Sequence, residues 1–249
     1  MKCILLCAGY ATRLYPLTKN FPKALLEIEP GKCILDYILD EVCSINEVDD
    51  IFVVSNHVFY NHFCEWASSQ SIHKKLIVID DHTTSNADRL GAIGDIYYTI
   101  KNQCIDDDLL IVAGDNLFDY SLKNVVNFFY DKKAPVVCGK ELHDVSLLQR
   151  LAVAKVDCDD KIVHLVEKPE HPDGNVAVYA TYLYPKEVLK EFQMYLDYGN
   201  MPDAPGYFVQ YLYSKVPVYV YRFDGHCFDV GTPEALDEVR LLYKDKKFN

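Results

Sequence analysis

At 249 residues, half of them hydrophobic and 13% aromatic, the chain has material for a sizeable core, which argues against disorder. A formal charge of −12 argues against a nucleic-acid groove or an anionic membrane surface, and no apolar run reaches the roughly 20 residues of a membrane span. The opening strand is too short and wrongly flanked for a secretion signal, so a soluble, cytoplasmic, unprocessed protein is expected.

The elements follow in chain order. An apolar strand over Lys2–Cys7 runs into a loop of small residues. Further strand-like runs occur at Asp50–Ser55, Lys75–Ile79, Asp108–Ala113 and Ala134–Cys138. Helix-like segments, Ile34–Ile45, His57–Ser69, Leu90–Gln103 and Leu122–Asp131, separate them. Continuous apolar strands alternating with helices predict an α/β fold: a Rossmann-like, mostly parallel sheet with helices on both faces. Ligands of such sheets sit beyond the carboxyl ends of the strands, where the opening loop lies. The later part differs. Ala152–Val156 and Lys161–Val166 read as a hairpin around Asp157–Asp160, followed by a strand at Val176–Tyr184. Pro185 opens a helix to about Leu196, and another helix follows the Gly/Pro-rich stretch Tyr198–Gly206. Val216–Phe223 reads as a strand, and Pro233 starts the terminal helix. No linker or repeat divides the chain, so one domain over 1–249 is expected, with a smaller β-rich lobe in its later half.

Nine cysteines, an odd number without a C-x2-C pair, read as buried reduced thiols. The eight histidines form no H-E-x-x-H pattern, and His57 and His62 are expected on a helix. Tyr207, Phe208, Tyr211 and Tyr213 suit a core better than a subunit interface, although a homo-oligomer is compatible with them.

Chemistry concentrates in a few places. The loop after the first strand carries Arg13 and, ten positions on, Lys23. Small residues admit close approach of backbone N–H groups to an anion, and two cations suit a polyphosphate. It is neither a P-loop nor a G-x-G-x-x-G fingerprint. Leu109–Asn116 ends in Gly114-Asp115, and Cys227–Pro233 offers Asp229. Each Asp alone is ordinary turn chemistry, but two converging carboxylates would suit Mg²⁺. In Glu167-Lys168-Pro169 the proline pushes Lys168 towards an extended backbone. In Asn86–Asp95, Asn86 or Asp88 would cap a helix.

The opening segment resembles the signature A-G-G-x-G-T-R-L-x-P-L-T…P-K-x-L of the sugar-1-phosphate nucleotidylyltransferases. Ala8, Gly9, Thr12, Arg13, Leu14, Pro16, Leu17, Thr18, Pro22, Lys23 and Leu25 fall in register, while Tyr10 and Ala11 stand where that family usually has glycine. The chain resembles the glucose-1-phosphate thymidylyltransferase-like short form without a C-terminal extension. That resemblance implies a GT-A-like fold, with a nucleotide-binding half over about 1–140 and a sugar-phosphate half over about 141–249. It also implies that a sugar 1-phosphate oxygen attacks the α-phosphorus of a nucleoside triphosphate in line, releasing pyrophosphate with Mg²⁺ as cofactor.

The resemblance further implies that Ala8, Gly9, Tyr10, Ala11, Thr12, Arg13, Lys23, Asn86, Gly91 and Asp115 contact the nucleotide. Asn116, Glu167, Lys168 and Tyr179 would contact the sugar phosphate, and Asp115 and Asp229 would hold the metal. Arg13, Lys23 and Lys168 would act in catalysis, on the β/γ-phosphates, near the α-phosphate and on the nucleophile in turn. Alternatives are a cytidylyltransferase for a non-sugar phosphate such as phosphocholine, and a silent nucleotide-sensing subunit. A glycosyltransferase would show Asp-x-Asp where Gly114-Asp115-Asn116 stands.

Overall fold

The computed structural model describes residues 1–244. Its elements in chain order are β1 (Lys2–Leu6), β2 (Glu27–Glu29), β3 (Lys32–Cys33), α1 (Ile34–Cys43), β4 (Asp50–Ser55), α2 (Tyr60–Ser69), β5 (Lys75–Asp80), α3 (Ala92–Asn102), β6 (Leu109–Ala113) and β7 (Asn116–Phe118). Then come α4 (Leu122–Lys132), β8 (Val136–Glu141), α5 (Val145–Leu148), β9 (Ala152–Val156), β10 (Ile162–Glu167), β11 (Val176–Tyr184), α6 (Lys190–Asp197), α7 (Pro205–Leu212), β12 (Tyr219–Arg222), β13 (Cys227–Asp229) and α8 (Pro233–Lys244). Two compact units emerge, each from separate chain segments. The first takes Lys2–Arg89, Val112–Leu122 and the segment from Gly225; the second takes Met1, Leu90–Ile111 and Lys123–Asp224.

In the first unit, β4 runs parallel to both β1 and β5, in registers from Lys2↔Asp50 to Leu6↔Val54 and from Asp50↔Lys75 to Ser55↔Asp80. Cys3, Ile4, Leu5, Ile51, Val53 and Val54 are buried, which is why both strands read as unbroken apolar runs. Helix α1 buries Ile34, Leu35, Ile38, Leu39 and Val42, one face at helical spacing. Its amino end is closed by Asp36, whose carboxylate accepts the Cys33 N–H at 2.7 Å. A short antiparallel ladder joins β7 to β13 and sets Asp229 opposite Asn116. That ladder brings two distant acidic motifs together.

The second unit keeps the hairpin read around Asp157–Asp160 but departs from a mostly parallel sheet. Its strands run in the order β10-β9-β11-β8-β12, antiparallel except for β12 on β8, so the strands of this α/β protein are mixed. The cause is connection length: the turn at Asp157–Asp160 is too short for a crossover helix, so β9 and β10 must pair antiparallel. Phe192 and Phe208 stack with ring centroids 3.8 Å apart beside Tyr184, so Phe208 is core; Tyr207, Tyr211 and Tyr213 are half-buried.

Several boundaries shift. The helix expected from His57 begins at Tyr60, leaving His57 in the preceding turn. The helix after Pro185 divides into a 3-10 turn, Lys186–Val188, and α6. Among the nine free cysteines, Cys3, Cys7, Cys33 and Cys138 are buried but Cys104 and Cys158 are exposed, which corrects the uniform burial expected. Among the described residues no helix is long and apolar enough to cross a membrane.

Candidate functional site

In the first unit, Lys23 Nζ donates to Asp115 Oδ2 at 2.8 Å and to Asp229 Oδ1 at 2.9 Å. The side chains of Lys23, Asp115 and Asp229 are 8%, 39% and 58% exposed, so a sheltered ammonium bridges two carboxylates that still reach solvent. Burial alone would lower the Lys23 pKa, but the two aspartates outweigh it and hold the ammonium above its ordinary range. Asp115 follows β6, beyond the carboxyl end of that strand; Gly114 N donates to Leu6 O at 2.9 Å. A methyl at Gly114 would overlap Cys7 Sγ, so only glycine admits this approach. The donor set is hard: two carboxylates, each with a second oxygen, in contact with a cation already. It fits a divalent ion such as Mg²⁺.

The opening loop encloses the same cleft, of about 230 Å³, lined by Gly9, Ala11, Arg13, Lys23, Asp115 and Gly231. Arg13 is exposed and makes no ion pair among the described residues. Its guanidinium and the Asp229 carboxylate both lie beside Gly231, where a Cβ would sit 3.3 Å from Arg13 Nη2 and 3.2 Å from Asp229 Oδ2. Ala8 O accepts from the Asn56 amide at 2.9 Å, and Ala11 O accepts from the buried Thr18 hydroxyl at 2.7 Å. Tyr10 is buried and its hydroxyl lies 3.1 Å from Thr83 Oγ1. Gly9 and Thr12 are exposed. Ala11 has φ +46°, in the left-handed region that favours glycine. Ala11→Gly is therefore expected to raise stability by about 1 kcal/mol, read from urea unfolding midpoints. A larger groove in this unit, about 590 Å³, is lined by Glu27, Asp36, Asp40 and Glu65 besides Phe21 and Trp66. Its charge has the wrong sign for a triphosphate, and the smaller cleft is the better anion site.

A family model described as nucleotidyl transferase matches residues 2–246 of this chain. The chain belongs to that family. It is 24% identical over 252 residues to the UTP–glucose-1-phosphate uridylyltransferase AglF of Haloferax volcanii, covering 99% of this chain and 98% of the relative. It is 27% identical over 256 residues to the bifunctional protein GlmU of Methanocaldococcus jannaschii, covering 99% of this chain and 55% of that one. The chain thus spans about half the length of that relative. Its fold is similar to a UDP-glucose pyrophosphorylase complexed with UDP-glucose, with a TM-score of 0.83, 19% identity and 99% of each chain covered.

The remaining predicted residues fall in both units. Asn86 is exposed in the first unit, and its backbone carbonyl accepts from Arg89 Nη1 at 2.8 Å. Neither Asn86 nor Asp88 caps a helix, which removes that one of their two readings. Helix α3 begins at Ala92 after Gly91, and Asp88 instead accepts from the Thr84 and Ser85 N–H groups at 3.1 and 2.7 Å. Asn116 is half-buried on β7.

Gly91 lies in the second unit with φ +78°, and a Cβ there would sit 2.6 Å from Pro202 O. Lys168, Glu167 and Tyr179 are also in this unit. Lys168 does not take the expected extended backbone: its φ is +47°. Its N–H donates to Leu151 O at 3.1 Å, holding a sharp turn at the strand end, and its side chain stays exposed. Tyr179 is half-buried, with its ring 5.3 Å from that of Phe223.

Glu167 is buried, its backbone N–H donating to Gln210 Oε1 at 3.0 Å and its carboxylate 3.8 Å from Lys168 Nζ. Burial pushes the Glu167 carboxyl above the ordinary range, against the pull of Lys168. The folded state therefore binds this proton more tightly than the unfolded state. Stability falls as pH rises from the unfolded value of about 4.3 through the raised folded one. Glu167→Gln lacks that loss, so its stability relative to the natural chain should increase between pH 4 and 7, measured by urea unfolding at both. An unchanged difference would contradict the raised pKa.

Two residues that hold the loop, Asn56 and Thr83, escaped sequence reading, and Thr18 was read only as part of the signature. Asn56 and Thr83 follow the carboxyl ends of β4 and β5, where the parallel-sheet rule directs attention, and that was the available signal. Thr18 belongs to the opening signature but gave no sign of its hydrogen bond.

Proposed function

We propose that this protein joins a nucleoside triphosphate to a sugar 1-phosphate, giving a nucleotide sugar and pyrophosphate, on a GT-A-like fold. The observation carrying the reading is the Lys23 bridge between Asp115 and Asp229 beside Arg13. It joins cation, carboxylates and small-residue loop at strand ends. The uridylyltransferase named above, whose whole length this chain matches, supports a sugar 1-phosphate as the acceptor.

Asp115 and Asp229 would hold Mg²⁺, which when bound supplies charge neutralisation between two anionic reactants. Amides of the Gly9–Arg13 loop would receive the triphosphate, and Arg13 would hold its β- and γ-phosphates and stabilise the departing pyrophosphate. Lys23 would keep the two acids aligned and face the α-phosphate side. Lys168 would orient the sugar phosphate, and Glu167 and Tyr179 would line the sugar. No strong general base is required, because a phosphate monoester is largely dianionic above a pKa of about 6. Catalysis then rests on positioning and charge.

The test is pyrophosphate release from a matrix of common nucleoside triphosphates against sugar 1-phosphates and phosphocholine, with Mg²⁺. Turnover confined to sugar 1-phosphates is expected. Turnover with phosphocholine alone, or binding without turnover across the panel, would overturn the proposal.

A further inference from the structure

We propose that His57, Asp80 and His82 form a second cation site, suited to a divalent transition metal such as Zn²⁺ and distinct from the Asp115–Asp229 pair. His57 Nδ1 lies 2.7 Å and His82 Nδ1 3.4 Å from Asp80 Oδ2. One ligand atom from each of the three residues lies within 4.8 Å of the others; among the described residues this is the one such group of His, Cys, Asp or Glu.

The backbone fixes the three before any ion arrives. Asp80 ends β5 opposite Ser55 of β4, two residues before His57. His57 N–H donates to Thr83 O at 2.9 Å, and Asp81 N–H to Ser55 O at 2.9 Å, which locks the two turns together. His82 N–H donates to Asp80 Oδ1 at 2.8 Å, which orients the carboxylate and leaves Oδ2 towards both imidazoles. Such support of a ligand's second oxygen is what orients carboxylates in metal centres.

The donor chemistry selects the ion. Two imidazoles and one carboxylate suit Zn²⁺, Ni²⁺ or Co²⁺, whereas Mg²⁺ and Ca²⁺ prefer oxygen alone. Three protein ligands leave one tetrahedral position for water. The imidazoles are 61% and 72% exposed, so an ion can enter from solvent. A bound ion would tie the turn after β4 to the turn after β5. The latter carries Thr83, the partner of Tyr10, and continues to Asn86. The ion would therefore stiffen the segment 81–88 without touching Arg13, Lys23 or the two aspartates.

The test is calorimetric titration with Zn²⁺ in excess Mg²⁺, on a Cys104→Ser/Cys158→Ser background that removes the exposed thiols. One bound equivalent is expected, with affinity falling at least about tenfold in Asp80→Asn, His57→Gln and His82→Asn. Asparagine tolerates the left-handed backbone of His82, φ +63°, so the last variant keeps the turn. Crystals soaked in Zn²⁺ should show an anomalous peak about 2.0–2.2 Å from both Nδ1 atoms. Hydrogen exchange over 81–88 should slow with Zn²⁺ in the parent and not in Asp80→Asn. No Zn²⁺ binding, unchanged affinity in all three variants, or a peak elsewhere would overturn the site.

Discussion

Lys23→Met is expected to reduce pyrophosphate release by about 100- to 1,000-fold and, at the same time, to raise the affinity of the substrate-free protein for Mg²⁺. The two effects have one cause. The ammonium sits 2.8 and 2.9 Å from two carboxylates that a divalent ion would also need. At an effective dielectric constant near 20, opposite unit charges about 4 Å apart attract by roughly 4 kcal/mol. An ion arriving without substrate must compete with that attraction. Removing the ammonium removes the competitor, but it also removes the charge that holds the acids in register for the triphosphate. Asp115 and Asp229 are 39% and 58% exposed, so their mutual repulsion is screened and the fold should survive with a loss of about 1–3 kcal/mol. Calorimetric Mg²⁺ titration, thermal unfolding and pyrophosphate release read the three quantities. Lower Mg²⁺ affinity in the variant would show that Lys23 does not compete for the aspartates.

Arg13→Ala should lower turnover by a similar factor, about 100- to 1,000-fold, while stability stays within about 0.5 kcal/mol of the natural chain. The contrast with Lys23 follows from burial. Arg13 is exposed and makes no ion pair among the described residues, so folding loses little when it goes. Its guanidinium nonetheless lies at the mouth of the cleft beside Gly231, free to form a bidentate contact with a phosphate. Unfolding in urea together with initial rates separates the two roles. A normal rate would remove Arg13 from the anion site, and a large loss of stability would make it a structural residue.

The parts of this molecule legible in sequence were those with strong periodicity. β4, β9 and β11 have the boundaries their apolar runs indicate, and α1 and α8 start at Ile34 and Pro233 as read. Orientation was harder. An apolar run looks the same in a parallel and an antiparallel strand, so the mixed pairing in the second unit depends on turn lengths and not on the strands themselves.

The site divides in the same way. Arg13, Lys23, Asp115 and Asp229 are visible as types in a motif, and the structure gathers them in one unit. The ladder joining β7 to β13 is invisible, because three-residue strands carry no periodic signal. So is the Lys23 bridge to Asp229, across 206 positions. Lys168 shows the limit of a local rule. A following proline disfavours the right-handed helical region, and the chain satisfied it with φ +47° instead of an extended backbone. The histidines gave no zinc pattern in sequence because His57, Asp80 and His82 meet only where β4 and β5 lie side by side.

The most direct measurement is a crystal structure of the chain with Mg²⁺ and a non-hydrolysable analogue of the nucleoside triphosphate that it turns over. The phosphates should lie against the Gly9–Arg13 amides and the Arg13 guanidinium, with the ion on Asp115 and Asp229. A triphosphate bound in the acidic groove between Phe21 and Trp66, or an ion that leaves both aspartates on Lys23 alone, would contradict the account.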